Sequence, residues 1–141
     1  MKKIGTFDGM NIFDEILYKV VLKGKKIRKK ILLKVNKMSI IKTAGYVGEN
    51  FNIKGDVVGI NKNIHISNNV CFNGITFLGL GCVKIGQYFH SGRDIVILSS
   101  NHNYDSNKSI PYDEIRLNKS VIIKDFVWIG HGVIILPGVT I

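Results

Sequence analysis

Aliphatic side chains recur every six residues along most of this chain. The clearest run consists of isoleucines near its C-terminal end, with valines four residues after three of them: Ile123, Ile129, Ile135 and Ile141, and Val127, Val133 and Val139. An α-helix repeats about every 3.6 residues and a simple strand every two, so neither explains this period. A short strand followed by a turn does explain it, if three such units close one coil. The period therefore predicts a parallel β-helix with these side chains pointing inward.

The same period begins at Val47 and shifts by one residue before Ile60 and again before Ile85. Single insertions of this kind are expected at the corners between strands. Gly48, Gly86 and Gly130 each follow an inward aliphatic residue, so a positive φ is expected there. The other predicted inward positions are Ile53, Ile66, Phe72, Leu78, Ser91 and Ile97, with Phe51, Val57, Ile64, Val70, Phe89 and Ile95.

The period is interrupted once, between Ile97 and Ile123. We expect residues 99–120 to form a structureless loop that leaves the β-helix surface. Loops of this length in compact domains are commonly functional. This loop holds the densest group of reactive side chains in the chain: His102, Tyr104, Asp105, Asp113, Glu114 and Arg116.

The positive charge is concentrated at the N-terminus. Residues 1–42 carry 12 of the 20 Lys and Arg but three acidic residues, whereas residues 43–141 carry 8 basic and 7 acidic residues. We therefore predict a basic N-terminal helical segment (1–42) and a β-helix domain (43–141). Because the domain is close to neutral, no nucleic-acid partner is expected. No targeting signal or membrane-spanning stretch is recognised, so a cytoplasmic location is expected.

Residues 11–38 have helical periodicity, with Gly24 expected to weaken or kink the helix. Three roles remain open for its apolar stripe. It packs on the rest of the protein, it makes a peripheral contact with an anionic membrane, or it belongs to a nucleic-acid-binding helix. The stripe consists of Phe13, Ile16, Leu17, Val20, Ile27, Ile31, Val35 and Met38.

The segments IGQYFHSGRDIVILSSNH (85–102) and VIIKDFVWIGHGVIILPGVTI (121–141), with the polar loop between them, resemble the galactoside and maltose O-acetyltransferase branch of the hexapeptide-repeat acyltransferases. The resemblance covers about Val47 to Ile141. It implies a left-handed β-helix, a homotrimer with active sites between subunits, and acetyl-coenzyme A as co-substrate. Sugars, antibiotics and other small alcohols and amines are the acceptors in this family, and precursors of capsule and lipopolysaccharide are frequent among them.

The resemblance places the family's catalytic histidine at His102. A thioester is already activated, so the help required is removal of a proton from a weakly nucleophilic hydroxyl, and a neutral imidazole supplies it near neutral pH. Asp105 or Glu114 is expected to hold the other ring nitrogen.

Further site residues follow from the same resemblance. Trp128 corresponds to a tryptophan that lies against the pantetheine arm, and Gly130 and His131 correspond to coenzyme-binding positions. Asn73 corresponds to an acceptor-binding asparagine, and His90 is expected near the same cleft. The four histidines have no metal-ligand spacing, so no metal is expected.

The chain departs from the family pattern at two places. The acceptor-binding aspartate of the galactoside enzymes, expected around Gly79 to Gly81, is absent, which argues against a galactoside or maltose acceptor. The chain also ends at an inward position, Ile141, where relatives continue for further coils. We therefore expect the complete protein to contain more C-terminal coils.

The predicted function is an O-acetyltransferase for a sugar or surface-polysaccharide precursor, with direct transfer from acetyl-coenzyme A. One alternative is an N-acetyltransferase that acts on an amino sugar or a drug. The other is a non-catalytic β-helix scaffold.

Overall fold

The computed structural model describes residues 12–141; residues 1–11 of the basic N-terminal segment lie outside the described part. The described residues form one α-helix followed by fourteen short strands. Helix α1 spans Ile12–Thr43, five residues beyond the predicted end, and it continues through Gly24 without interruption. Asp14 and Glu15 lie in its first turn, where carboxylates interact favourably with the helix dipole.

Twelve of the strands form three parallel sheets, and each coil contributes one strand to each sheet. Sheet 1 contains β1 (Tyr46–Val47), β4 (Ile64–Ile66), β7 (Val83–Ile85) and β12 (Val121–Ile123). Sheet 2 contains β2 (Asn52–Ile53), β5 (Cys71–Phe72), β8 (His90–Ser91) and β13 (Trp128–Ile129). Sheet 3 contains β3 (Val57–Val58), β6 (Ile75–Leu78), β9 (Ile95–Leu98) and β14 (Ile134–Ile135). The predicted β-helix is confirmed, and it is left-handed.

The register shows how the coils stack. Ile64 pairs with Val83, one coil later, and Val83 pairs with Val121 across the interruption in the period. A further bridge between Ile122 and Thr140 begins another coil. The coils therefore stay in register even where the chain leaves the β-helix between them.

The core is a stack of inward side chains, as the six-residue period predicts. Phe72 lies in its middle, with ring centroids 5.3 Å from Phe51 and 6.0 Å from both Phe77 and Phe89. Burying a large apolar side chain stabilises a fold by about 1.5–3 kcal/mol, so these columns supply the main stabilisation. Other buried members are Ile53, Ile64, Ile66, Val70, Ile85, Ile95, Ile97, Ile123, Ile129 and Ile135.

Three predicted inward positions are exposed in the structure: Leu78, Val133 and Ile141, the last of which is 42% exposed. Leu78 is 47% exposed, and Phe77 is buried instead. The cause is strand pairing: Phe77 pairs with the buried Ile97, and side chains alternate along a strand, so Leu78 points outward. Val133 is 36% exposed, because it belongs to the coil after β9 and has a complete coil on one side only.

The predicted positive φ at Gly48, Gly86 and Gly130 is wrong. At the corner between sheets 1 and 2, which holds Gly48 and Gly86, the left-handed conformation occurs at other residues, with φ between 54° and 61°: Asn50, Asn69, Tyr88 and Phe126. At the corner between sheets 2 and 3, which holds Gly130, it occurs at Gly132, with a φ of 72°. The rings of Tyr88 and Phe126 stack on each other, with their centroids 5.0 Å apart.

Gly48 and Gly86 are instead needed for space. An added Cβ would lie 2.3 Å from Asn68 Oδ1 at Gly48 and 2.5 Å from Asp125 Oδ1 at Gly86. Those oxygens accept hydrogen bonds from the next backbone N–H, that of Glu49 (2.9 Å) and of Gln87 (2.8 Å). Side chains of one coil therefore bind the backbone of the preceding coil at this corner.

Helix α1 packs on the β-helix through its C-terminal part, where Ile40 is buried and Leu33 is half-buried against the core. The predicted apolar stripe does not make this contact, and all eight of its side chains are exposed. Within residues 12–141, no helix is both long and apolar enough to cross a membrane.

Candidate functional site

Residues 99–120 are not structureless. The chain leaves the β-helix after sheet 3 as strand β10 (Ser100–His102) and returns as β11 (Arg116–Asn118), and the two strands pair antiparallel. His102 lies directly opposite Arg116 at the outer end of this hairpin. An ordered two-stranded base therefore presents the predicted catalytic histidine.

The imidazole of His102 has two close neighbours. Arg116 Nη1 lies 2.8 Å from His102 Nε2, and the ring of Tyr112 lies 3.7 Å away, centroid to centroid. A guanidinium can only donate, so Nε2 must accept, and the proton of the neutral ring belongs on Nδ1. Arg116 thus selects the tautomer in which Nε2 carries the lone pair.

A cavity of about 250 Å³ opens beside this ring and is lined by His102, Ser109, Tyr112, Asp113, Glu114 and Arg116. Glu114, one of the two predicted orienting carboxylates, lies in this lining, whereas Asp105 is exposed in the loop. Among the described side chains, neither of these carboxylates hydrogen-bonds to the imidazole.

Asp113 organises the loop that carries Tyr112 and Glu114. Its Oδ2 accepts hydrogen bonds from Ser106 Oγ (2.7 Å) and Asn103 Nδ2 (2.9 Å), and its Oδ1 accepts one from the Ile115 N–H (2.9 Å). The hydrogen bond from Ser106 is the largest cause that holds the pKa of Asp113 below its usual value.

Neither Arg116 nor Asp113 has a role predicted from the sequence. An aspartate that bonds to an N–H two residues later is a common turn signal, and Asp113 fits it with Ile115. No pattern within the loop pairs Arg116 with His102, because that contact depends on the strand register of the hairpin.

A second group of predicted site residues lies on the outer face of sheet 2. The amide of Asn73, just after β5, donates from Nδ2 to Ser91 O (2.7 Å) and lies 2.9 Å from His90 Nε2. The structure therefore brings the two predicted acceptor-binding residues together. Trp128 pairs with His90 across the next coil, and its side chain is 72% exposed.

The predicted coenzyme-binding residues run from Trp128 on sheet 2 to Gly130 and His131 at the corner between sheets 2 and 3. His131 Nδ1 lies 3.6 Å from Asp94 Oδ2, and both side chains are largely exposed. An added Cβ on Gly92 would lie 2.7 Å from the Gly130 carbonyl carbon, so the two backbones are in close contact. Trp128, Gly130 and His131 thus form one continuous strip.

A cleft of about 560 Å³ separates this corner from helix α1. Asn73 reaches it, and its walls include Lys29, Lys54, Arg93 and Asp94.

The two groups of residues do not converge within one chain. Each coil has three sides, and the hairpin with His102 leaves from the corner between sheets 3 and 1. That corner lies on the opposite side of the coil from sheet 2, which carries His90 and Trp128. Among residues 12–141, no three His, Cys, Asp or Glu side chains are grouped so that they could hold a metal ion.

Comparison with solved structures identifies the architecture. The chain matches the crystal structure of a hexapeptide-repeat-containing acetyltransferase from Vibrio cholerae O1 biovar eltor, a complex with acetyl-coenzyme A. The TM-score is 0.64 at 21% sequence identity, over 96% of this chain and 74% of that one. The fold is a hexapeptide-repeat β-helix.

Comparison with curated proteins gives a second similarity to this hexapeptide-repeat chain. A protein of Schizosaccharomyces pombe (strain 972 / ATCC 24843) named "Putative acetyltransferase" is 34% identical over 80 residues. The match spans 56% of this chain and 38% of the length of that relative. No family model matches the chain. The relation to the galactoside and maltose branch remains a prediction.

Proposed function

We propose that this chain belongs to an acetyltransferase that moves the acetyl group of acetyl-coenzyme A to a hydroxyl of a sugar or surface-polysaccharide precursor. The two similar proteins described above are named acetyltransferases, and one was crystallised with acetyl-coenzyme A. The observation that carries the proposal is the position of His102, held at the end of an ordered hairpin with its ring beside a small cavity.

In the proposed reaction, His102 Nε2 accepts the proton of the acceptor hydroxyl as its oxygen attacks the thioester carbonyl. The tetrahedral intermediate collapses, the C–S bond breaks, and the imidazolium returns the proton to the leaving thiolate. The products are the acetyl ester and free coenzyme A, and no acyl-enzyme forms. General bases of this kind contribute about 10²–10⁴-fold to rates.

Arg116 adds a requirement to this mechanism. Its guanidinium donates to the same nitrogen that must take the proton, 2.8 Å away. We propose that the acceptor hydroxyl displaces Arg116 from Nε2. Glu114 lines the same cavity and supplies a carboxylate that can receive the displaced guanidinium.

We further propose that the complete site forms between copies of the chain in a homotrimer. In this arrangement the hairpin of one chain faces sheet 2 of its neighbour. Trp128, Gly130 and His131 would then contact the coenzyme, and Asn73 and His90 would contact the acceptor. Both N–H groups of the Asn73 amide have partners, so its Oδ1 is the atom that can accept from a hydroxyl. The expected cytoplasmic location remains a prediction.

The test is a thiol-release assay on the full-length protein with acetyl-coenzyme A and a panel of sugars, amino sugars and amine drugs. His102→Ala should lower turnover by about 10²–10⁴-fold with little change in acetyl-coenzyme A affinity. The rate with an alcohol acceptor should also fall on acidification, because a protonated imidazole cannot accept a proton.

His65→Ala is the matched control, because His65 lies on sheet 1, outside both groups of site residues. It should keep wild-type turnover. Near wild-type turnover in His102→Ala, with loss of activity in His90→Ala or His131→Ala, would show that the catalytic assignment is wrong. Transfer to amines alone would favour the N-acetyltransferase, and absence of turnover with any acceptor would favour a scaffold.

A further inference from the structure

Helix α1 has two apolar faces, and one of them is uncovered. Leu33 and Ile40 belong to the face that packs on the β-helix. The uncovered face is the predicted stripe, every member of which is exposed: Phe13, Ile16, Leu17, Val20, Ile27, Ile31, Val35 and Met38.

The stripe points away from the protein. Successive helix residues are rotated by about 100°, which places the stripe about half a turn from Leu33 and Ile40. From Phe13 to Met38 it is about 38 Å long at a rise of about 1.5 Å per residue. Residues 12–32 are all exposed, so the first two thirds of the helix lack cover from the β-helix.

An exposed apolar stripe of this length is expected to bind a partner. Helical stability in proteins comes mainly from packing of an amphipathic face, and exposed apolar patches of this extent mark interaction sites. A depression of about 410 Å³ lies along one border of the stripe and is lined by Gly24, Ile27, Arg28, Ile31, Leu32 and Val35.

The charge around the stripe indicates the occupant. Helix α1 carries ten Lys and Arg against Asp14 and Glu15. By helical rotation, Lys23, Lys30 and Lys34 lie along one edge of the stripe, and Arg28 lies along the other. An apolar stripe between two basic borders is typical of helices that lie in the surface of an anionic membrane.

Other occupants fit less well. A second copy would bring either another basic helix, which repels this one, or a β-helix domain of almost no net charge. A nucleic acid would be contacted through cations, whereas the face that needs cover is apolar. No helix among the described residues can span a bilayer, so the contact is peripheral.

We propose that helix α1 binds an anionic lipid surface. Its stripe enters the boundary between headgroups and acyl chains, while the flanking lysines contact lipid phosphates. The β-helix, attached through Leu33 and Ile40 on the opposite face, then remains on the aqueous side. This proposal does not depend on the acetyltransferase activity.

The experiment is sedimentation of the full-length protein with vesicles of phosphatidylcholine alone or mixed with phosphatidylglycerol. The wild type should bind the mixed vesicles, bind neutral vesicles at least about tenfold more weakly, and be released by salt. The double variant Ile16→Glu, Val20→Glu should lose binding by about tenfold or more.

Tyr18→Glu, Leu22→Glu is the matched control. It introduces the same charges at the same spacing on an exposed part of the helix outside the stripe. It should keep binding within about threefold of the wild type. The net charge of the helix changes by the same amount in the two double variants, but only Ile16→Glu, Val20→Glu places the charges on the apolar stripe. The circular dichroism melt of the β-helix should be the same in both variants, since all four residues lie in the exposed stretch of the helix, residues 12–32.

Three results would overturn the proposal. One is equal binding of the wild type to neutral and anionic vesicles, or no binding to either. Another is equal loss of binding in both variants. The third is a solution oligomer that dissociates in the stripe variant alone, without vesicle binding by the wild type, which would identify a second copy as the occupant.

Discussion

The β-helix and helix α1 are built from similar aliphatic residues, yet they use them in opposite ways. In the β-helix most of the inward Ile residues are buried, as Ile66 and Ile97 are, and coils on either side enforce the position of these two side chains. In α1 the stripe residues are as apolar but stay exposed. A repeating apolar pattern thus predicts a face, but it does not predict what covers that face.

The largest expected difference between the two regions is the response to a buried charge. Ile66→Asp should prevent folding of the coils, because an unpaired carboxylate in this core costs more than about 4–5 kcal/mol. Ile27→Asp, on the exposed stripe, should change the free energy of unfolding by less than about 0.5 kcal/mol. Urea unfolding followed by circular dichroism measures both. Comparable destabilisation would mean that the stripe is buried in solution.

A smaller difference is expected for glycine. Gly86→Ala should destabilise the β-helix by about 1–3 kcal/mol, because its Cβ would lie 2.5 Å from Asp125 Oδ1 and displace a coil-to-coil hydrogen bond. Gly24→Ala should instead stabilise helix α1, by up to about 1 kcal/mol, since nothing lies within 4 Å of its added Cβ. Thermal unfolding of the two variants gives the opposite signs directly. A stabilising Gly86→Ala would contradict the close approach at this corner.

The smallest expected effect concerns Asp113, which lies in the loop between strands β10 and β11 of the hairpin. The folded pKa of Asp113 is lowered, chiefly by its bond from Ser106, so its contribution is present above the unfolded pKa. That contribution is lost as the pH falls through the folded pKa. Asp113→Asn should therefore speed hydrogen exchange at the Ile115 amide near neutral pH, and the difference from wild type should shrink in acid.

Asp105→Asn is the control for this effect, because Asp105 lies in the same loop but makes none of these bonds. Its exchange at Ile115 should match wild type at both pH values. An equal change in both variants would show that Asp113 does not hold the loop through these bonds.

The six-residue period predicted the core columns because inward positions repeat by geometry alone. The period assigned Leu78 to an inward position that Phe77 occupies in the structure. Both residues are apolar, and the pairing between β6 and β9, which the period does not encode, determines which of them points inward. The period also could not show that His90 and Asn73 are in contact, although their resemblance-based roles grouped them.

The surroundings of His102 were harder to predict. Arg116 lies 14 residues away in sequence and reaches the imidazole only through antiparallel register in a hairpin that has no apolar repeat. The sequence also did not predict that the α1 stripe faces away from the β-helix. Leu33 and Ile40 form a second apolar face on the same helix, and that face makes the contact. The catalytic role of His102 itself remains a prediction.

The closure of the β-helix beneath the hairpin makes the hairpin replaceable. The Lys119 N–H donates to Ser99 O at 2.9 Å, and the Val121 N–H donates to Cys82 O at 2.9 Å, so the coil continues as though nothing had been inserted. The energetic penalty for a longer excursion grows only with the logarithm of its length. Descendants of such a scaffold can therefore exchange one excursion for another of different size and chemistry while the coils keep folding, and new specificities can arise without redesign of the core.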